Sequence, residues 1–299
     1  MVGETELKEH SKIKKTKEDI LVDCVSYFFM AAFALTILFP FMSVISKAFS
    51  ADWAVIAGKV GVLPVGFQLD SIRFVVQSNE FLNSFRNSFL ITLTGTFATL
   101  LVTGMTAYPL SKRYLPGMKQ ILLLFVFTMY FNGGMIPTYL WLKNLGLLNN
   151  LSVLVLPSLI NVFHMLIIKN YYEGLPDSIE ESAKLDGAGN FTILFRIILP
   201  LSIPVYASIA VFTSVGLWNN YLSAMLYINS PGLKTLPLYL HDLIAQAQDA
   251  LNQAESLSNI NSESVTSSAI IASTLPILLV YPFLQRYFIK GITIGSVKG

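Results

Sequence analysis

Six stretches of this chain run for more than twenty residues without an Asp, Glu, Lys or Arg: residues 24–46, 87–111, 120–142, 144–168, 197–232 and 265–285. A helix needs about 20 largely apolar residues to cross a hydrocarbon core about 30 Å thick, because each residue rises about 1.5 Å. All six runs are long enough. Alternating segments of about 9–11 residues, the mark of a barrel, are absent. A soluble globule is excluded as well: 54% of the residues are hydrophobic and 13% charged, where a soluble domain carries about 25% charge, so folding in water would leave large apolar patches. The predicted class is an all-α, polytopic membrane protein with six transmembrane helices. The first run is too long for a signal-peptide core, and Pro40-Phe41 followed by Lys47 offers no cleavage site, so it is expected to stay as a helix.

Lys and Arg are retained on the cytoplasmic side of membrane proteins. If both termini are inside, that side holds Lys8, Lys12, Lys14, Lys15, Lys17, Lys112, Arg113, Lys119, Lys169, Lys184, Arg196, Arg286, Lys290 and Lys298, 14 of the 20 basic residues. The predicted organisation is a tail over 1–20, a membrane domain over 21–290 and a tail over 291–299. Two outside segments, 47–86 and 229–264, are long enough to carry structure, either as a helical lid or as a surface for an external partner. Residues 241–248 read as an amphipathic helix. The fifth run leaves room for a re-entrant or interfacial extension around 227–232. Prolines punctuate the runs and Gly133-Gly134 breaks the third, which suits a bundle lining a pathway. The lone Cys24 excludes an internal disulfide, a multi-cysteine zinc site and an iron–sulfur cluster held by this chain alone.

The inside loop between runs four and five carries the most information. Ser178 with Glu181, or Asp177 with Glu180, reads as a capping box that starts a short helix. Gly187 and Gly189 read as its stop. Ile179 and Ala183 lie one turn apart, which predicts small and apolar residues on one side and acids on the other. Such a helix either fits a groove of another protein or is a solvated connector. Its sequence, Glu181-Ser182-Ala183, three residues, Gly187, nine residues, Ile197, one residue, Leu199-Pro200, resembles the coupling motif of bacterial ABC importer permeases, with Ser182 in place of the middle alanine.

The resemblance extends along the chain. Gly216-Leu217-Trp218-Asn219-Asn220-Tyr221 and the tail from Gln285 to Gly299 look like the carbohydrate-uptake permeases, and within these the chain resembles the maltose permease G-type subunit. The segment Asn132-Gly133-Gly134-Met135-Ile136-Pro137-Thr138-Tyr139, with Lys143-Asn144-Leu145-Gly146-Leu147-Leu148-Asn149-Asn150, is similar to a subgroup importing pectin or alginate fragments. The resemblance implies a type I ABC importer permease fold and four kinds of partner: a second permease subunit, two ATPase subunits, an extracytoplasmic solute-binding protein and the lipid bilayer. It implies ATPase coupling by Glu180, Glu181, Ser182, Ala183, Asp186 and Gly187, with Glu181 as the charge offered to the ATPase. Gly295, Val297, Lys298 and Gly299 would be a tail reaching the ATPases, the other reading being a disordered end. The chain lacks a G-x-x-x-x-G-K-[ST] phosphate loop, so it is not expected to be an enzyme; ATP and Mg would be bound by the partners. No catalytic residue, metal site or nucleic-acid partner is expected.

Substrate-path candidates are Asn132, Tyr139, Trp218, Asn219, Asn220 and Tyr221, since aromatic faces stack on sugar rings and amides bond hydroxyls. They predict a wide polar-aromatic cavity; otherwise the aromatics form an interfacial belt and the asparagines join helices. His164 reads as a proton relay or as a histidine bonded to a neighbouring helix. Two rival functions are an ion-coupled secondary transporter, disfavoured because the runs hold no Asp or Glu, and an ABC importer permease for a non-sugar solute.

Overall fold

The computed structural model describes the backbone of residues 16–112, 114–252 and 262–296, and the side chains of 16–112, 114–246 and 263–280. Among the described residues there is no strand. The helices are α1 (Lys17–Ala48), α2 (Asp52–Ile56), α3 (Asp70–Gln77), α4 (Asn79–Leu110), α5 (Met118–Tyr130), α6 (Met135–Asn144), α7 (Val162–Glu173), α8 (Asp177–Leu185), α9 (Asn190–Ile193), α10 (Leu199–Leu201), α11 (Ile203–Trp218), α12 (Leu222–Tyr227), α13 (Leu236–Asn252) and α14 (Ser262–Ser296).

Local chemistry sets several starts. The Thr16 hydroxyl accepts from Asp19 N at 3.2 Å while the Asp19 carboxylate accepts from Thr16 N at 2.8 Å, a reciprocal cap that opens α1. Ser78 caps α4 through Phe81 N at 3.2 Å, and Asn161 caps α7 through His164 N at 3.1 Å. α1 begins at Lys17, and α14 runs to Ser296.

Among the described residues three helical stretches are long and apolar enough on their own to cross a membrane: α1, α4 and Glu263–Val280 of α14. The other three runs are broken. The α5–α6 pair bends by 114°, the Leu151–Ser158 turns and α7 by 49°, and the α9–α10 stretch and α11 by 80°; the total is six only if each bent pair is one crossing. The first break follows from Gly134, which takes φ +92° while its N–H is held by the Asn132 side chain at 2.9 Å. The third follows from Pro200 and Pro204, which remove two N–H donors four residues apart. Residues Leu194–Ile198 form a π-helical turn just before, and the axis turns at Ser202. Beyond α11, the extension expected at 227–232 takes the form of α12 and a 3₁₀ turn over Pro231–Leu233.

The core is strung along α4 in three clusters. Phe81 near its start packs with Trp218, Leu236, Tyr239 and Ala269. Ile91 packs with Leu142, Val153, Tyr227 and Leu238. At its C-terminal end Ala107 and Tyr108 pack with Met165, Ile168, Ile198 and Ile209. Two glycines let α4 approach its neighbours: a Cβ on Gly104 would lie 1.7 Å from Tyr206 Oη, and one on Gly95 would lie 2.7 Å from Leu217. Both long segments assigned outside carry helices among their described residues, α2 and α3 in the first and α13 in the second, and dock on this bundle. Asn87 donates to the carbonyls of Gly232 and Lys234 at 2.9 and 3.0 Å, Ser88 accepts from Leu236 N at 2.7 Å, and Lys47 pairs with Glu263 at 2.6 Å.

Candidate functional site

The motif between the fourth and fifth runs folds as the nine-residue helix α8, which closes one end of the bundle beside the C-terminal end of α4. It does not start through either capping box. Pro176 occupies the N-cap with no side-chain hydrogen bond, so Asp177 and Ser178 are already helical residues; the Ser178 carbonyl accepts from the Ser182 hydroxyl at 2.7 Å. The stop is a Schellman turn. Gly187, at φ +82°, donates to Lys184 O at 3.0 Å, and Ala188 N donates to Ala183 O at 2.9 Å. Gly189, with φ −76°, has no left-handed role; it is the N-cap of α9.

The helix divides its residues differently from the expected apolar and acidic sides. Ala183 is 8% exposed and belongs to the core at the end of α4, and Glu180 is equally buried. Positions 180 and 183 share a helical face, so a residue packing like Ala183 brings Glu180 inward with it. The carboxylate is tolerated there because Lys112, just past the end of α4, donates to Glu180 Oε1, and the Tyr108 hydroxyl donates to Oε2 at 3.4 Å. Lys112 Nζ also lies 4.8 Å from the centre of the Tyr108 ring. Glu181, Ser182, Lys184, Leu185, Asp186 and Gly187 are exposed.

Leu185 is 89% exposed and Phe191 70%, and Tyr114 stands under Lys184 with its ring 5.2 Å from Nζ. Nothing in the sequence pattern singled out this apolar and aromatic fringe. Lys112 was visible only as one more inside charge, since nothing in a sequence pairs residues 68 positions apart. In the tail, Gly295 lies on the backbone of α14, whereas Val297, Lys298 and Gly299 fall outside the described residues.

The six substrate-path candidates do not converge on one cavity. Trp218 is 8% exposed and packs edge-on against Phe85 at 5.9 Å. Asn132 closes the α5–α6 break, and the Asn220 side chain accepts from Ser223 N at 3.3 Å at the start of α12. Tyr139 stacks on Tyr227 at 6.2 Å and Tyr221 tilts over His241 at 4.7 Å; both flank the middle core cluster. Asn219 is exposed. A groove of about 340 Å³ lies between α4 and the turns before α7, lined by Leu90, Ile91, Thr94, Leu151, Ser152 and Val155 among others, and none of the six lines it. Within this chain Trp218, Asn132 and Asn220 serve packing and caps, while Asn219 stays exposed. His164 Nδ1 is buried without a hydrogen-bond partner and its ring stacks on Phe212 at 6.1 Å.

Residues 113–294 match the family described as binding-protein-dependent transport system inner membrane component. The chain belongs to that family. This permease component is 38% identical over 282 residues to the polygalacturonan/rhamnogalacturonan transport system permease protein YtcP of Bacillus subtilis (strain 168), covering 93% of this chain and 99% of the relative. It is 39% identical over 286 residues to the protein LplC of the same organism, covering 95% and 97%. Its fold superposes with a TM-score of 0.84 and 31% identity on a chain of a bacterial ABC transporter involved in the import of the acidic polysaccharide alginate, covering 92% of this permease and 99% of that chain.

Proposed function

We propose that the chain is one of two permease subunits of an ATP-driven ABC importer that takes up an oligosaccharide, with uronic-acid-containing fragments as the substrate class. The observation that carries this reading is α8: its coupling motif is built as a short helix anchored inward by Ala183 and Glu180, leaving Glu181, Leu185 and Asp186 on the open side. An exposed leucine beside carboxylates at the end of a bundle suits a groove in a partner protein. The substrate class is supported by relatives and a structural neighbour that handle polygalacturonan, rhamnogalacturonan and alginate.

In this reading the chain crosses the bacterial cell membrane six times with both termini inside, each bent pair counting as one crossing. α8 faces the cytoplasm, where two ATPase subunits hold ATP and Mg. Their closure drags α8 and rocks the two permeases between inward- and outward-facing states. A solute-binding protein delivers cargo to the outer segments, α2, α3 and α13. The substrate path runs along the interface of the two permeases, where Tyr139, Asn219 and Tyr221 offer aromatic faces and amides.

Two experiments test this. Affinity isolation of the chain from its own membrane should recover a second permease and an ATPase. A deletion strain should lose growth on galacturonate- or other uronate-containing oligosaccharides; loss of growth on amino acids or peptides alone, with every sugar still used, would refute the carbohydrate assignment. Purified by itself, the chain should hydrolyse no ATP above background.

A further inference from the structure

The α8 helix is joined to its neighbours by two short turns. It follows Gly174, Leu175 and Pro176 after α7 ends at Glu173, and it leaves through the left-handed Gly187 before α9 begins at Asn190. Apolar contact such as that of Ala183 is non-directional. Besides an exposed contact from Lys184 Nζ to Tyr114 Oη at 3.4 Å, the directional link from α8 to the bundle is Glu180. Its side chain is 10% exposed and that of its ion-pair partner Lys112 12%, and the Tyr108 hydroxyl adds a second donor at 3.4 Å. Both donors belong to the last turn of α4 or the residues just after it. At its other end the same 32-residue helix holds Gly232, Lys234 and Leu236 through Asn87 and Ser88, immediately before α13.

We propose that the Lys112–Glu180 pair is a positioning latch that makes α8 and α4 move as one body, so that a displacement of α8 reaches the opposite end of the bundle through α4. The proposal rests on the ATP-driven reading above. It assigns Glu180 and Glu181 opposite tasks: Glu180 binds inward to this chain and Glu181 is left for a partner. Neutralising either partner of the latch frees α8 to pivot on Pro176 and Gly187 while leaving its outward face intact.

The test uses the assembled importer, with second permease, ATPases and solute-binding protein. Cys24 is replaced by Ser, and spin labels are placed at S178C on α8 and M105C on α4, both exposed. The unsubstituted latch should give a narrow label-to-label distance that is unchanged by trapping with ATP and vanadate. E180Q and K112M should broaden it or make it nucleotide-dependent, and should lower the stimulation of ATP hydrolysis by the binding protein about tenfold, at unchanged ATPase co-purification. The reversed pair, E180K with K112E, should restore the narrow distance and most of the stimulation. Single variants that keep both wild-type readouts overturn the latch. Where the single variants fail to assemble, the reversed pair decides: recovery supports the latch, and failure to recover overturns it. If no ATPase co-purifies even with the unsubstituted chain, it is the ATP-driven assembly that fails.

Discussion

Gly104 shows how one missing methyl sets a helix crossing. Its absent Cβ would sit 1.7 Å from Tyr206 Oη, and that hydroxyl is fixed by a 2.6 Å hydrogen bond with Tyr172. Gly104→Ala should therefore displace a buried ring and break the tyrosine pair, at a cost of about 1–3 kcal/mol. The thermal unfolding midpoint in detergent should fall, and Gly104→Ala with Tyr206→Phe should recover part of the loss, since the colliding oxygen is gone; an additive loss would show that the clash is elsewhere. Gly187 makes a different case. Nothing lies within 4 Å of its Cβ position, yet φ is +82°. Gly187→Ala should cost only the left-handed backbone penalty, about 1–2 kcal/mol, and uptake should persist. Gly187→Leu should abolish uptake with the chain still in the membrane, because only a partner pressed against this turn would collide with the longer side chain. Equal uptake by both variants would show that no partner approaches Gly187.

At the scale of elements, α13 is held by charge as well as by Leu236 and Tyr239. Lys234 Nζ lies 2.6 Å from Asp242 Oδ2, and His241 lies 3.4 Å from Oδ1. Partial burial raises the Asp242 pKa, but the hydrogen bonds from Lys234 and His241 outweigh it, so the carboxyl titrates below its ordinary value. A depressed acid contributes stability above its unfolded pKa and loses it as pH falls through the folded one. Protection of the α13 amides, corrected for the intrinsic pH dependence of exchange, should thus be constant between about pH 7 and 5 and should fall only below about pH 4, and Asp242→Asn should remove that fall. Protection that stays constant down to about pH 3 would show that the Asp242 carboxylate does not hold α13. The amphipathic character of 241–248 was legible because a 3.6-residue period shows in one sequence, and the break at Gly133-Gly134 because glycine names its own exception. The 80° turn at Ser202 was not, since proline announces a lost donor without saying which way the chain bends. The Ser178–Glu181 box failed for a local reason: Pro176 already holds the N-cap.

At the scale of the molecule, the apolar window of α1 is entirely unburied within this chain, and Phe28, Phe29, Phe33 and Phe39 are all more than 60% exposed. Such a surface is stable only against lipid or a second subunit, so what one chain lacks in structure is also what it lacks as a binding site. The six polar and aromatic candidates are dispersed, and the described groove beside α4 is lined mainly by Leu90, Ile91, Leu151 and Val155 with the hydroxyls of Thr94 and Ser152, which offer a charged sugar no countercharge. Affinity for a uronate oligosaccharide should therefore belong to the delivery protein, and a pathway shared by two permeases should hold cargo weakly, since a ligand bound tightly in both end states shifts nothing and leaves slowly. Titration of a trigalacturonate into the purified chain in detergent should give no saturable binding below about 1 mM, or about 4 kcal/mol at most, while the intact importer with its binding protein takes up the same probe. Micromolar binding by the isolated chain would place a complete site within these helices and would move the search for it to Tyr221 and His241, the aromatic pair beside α13.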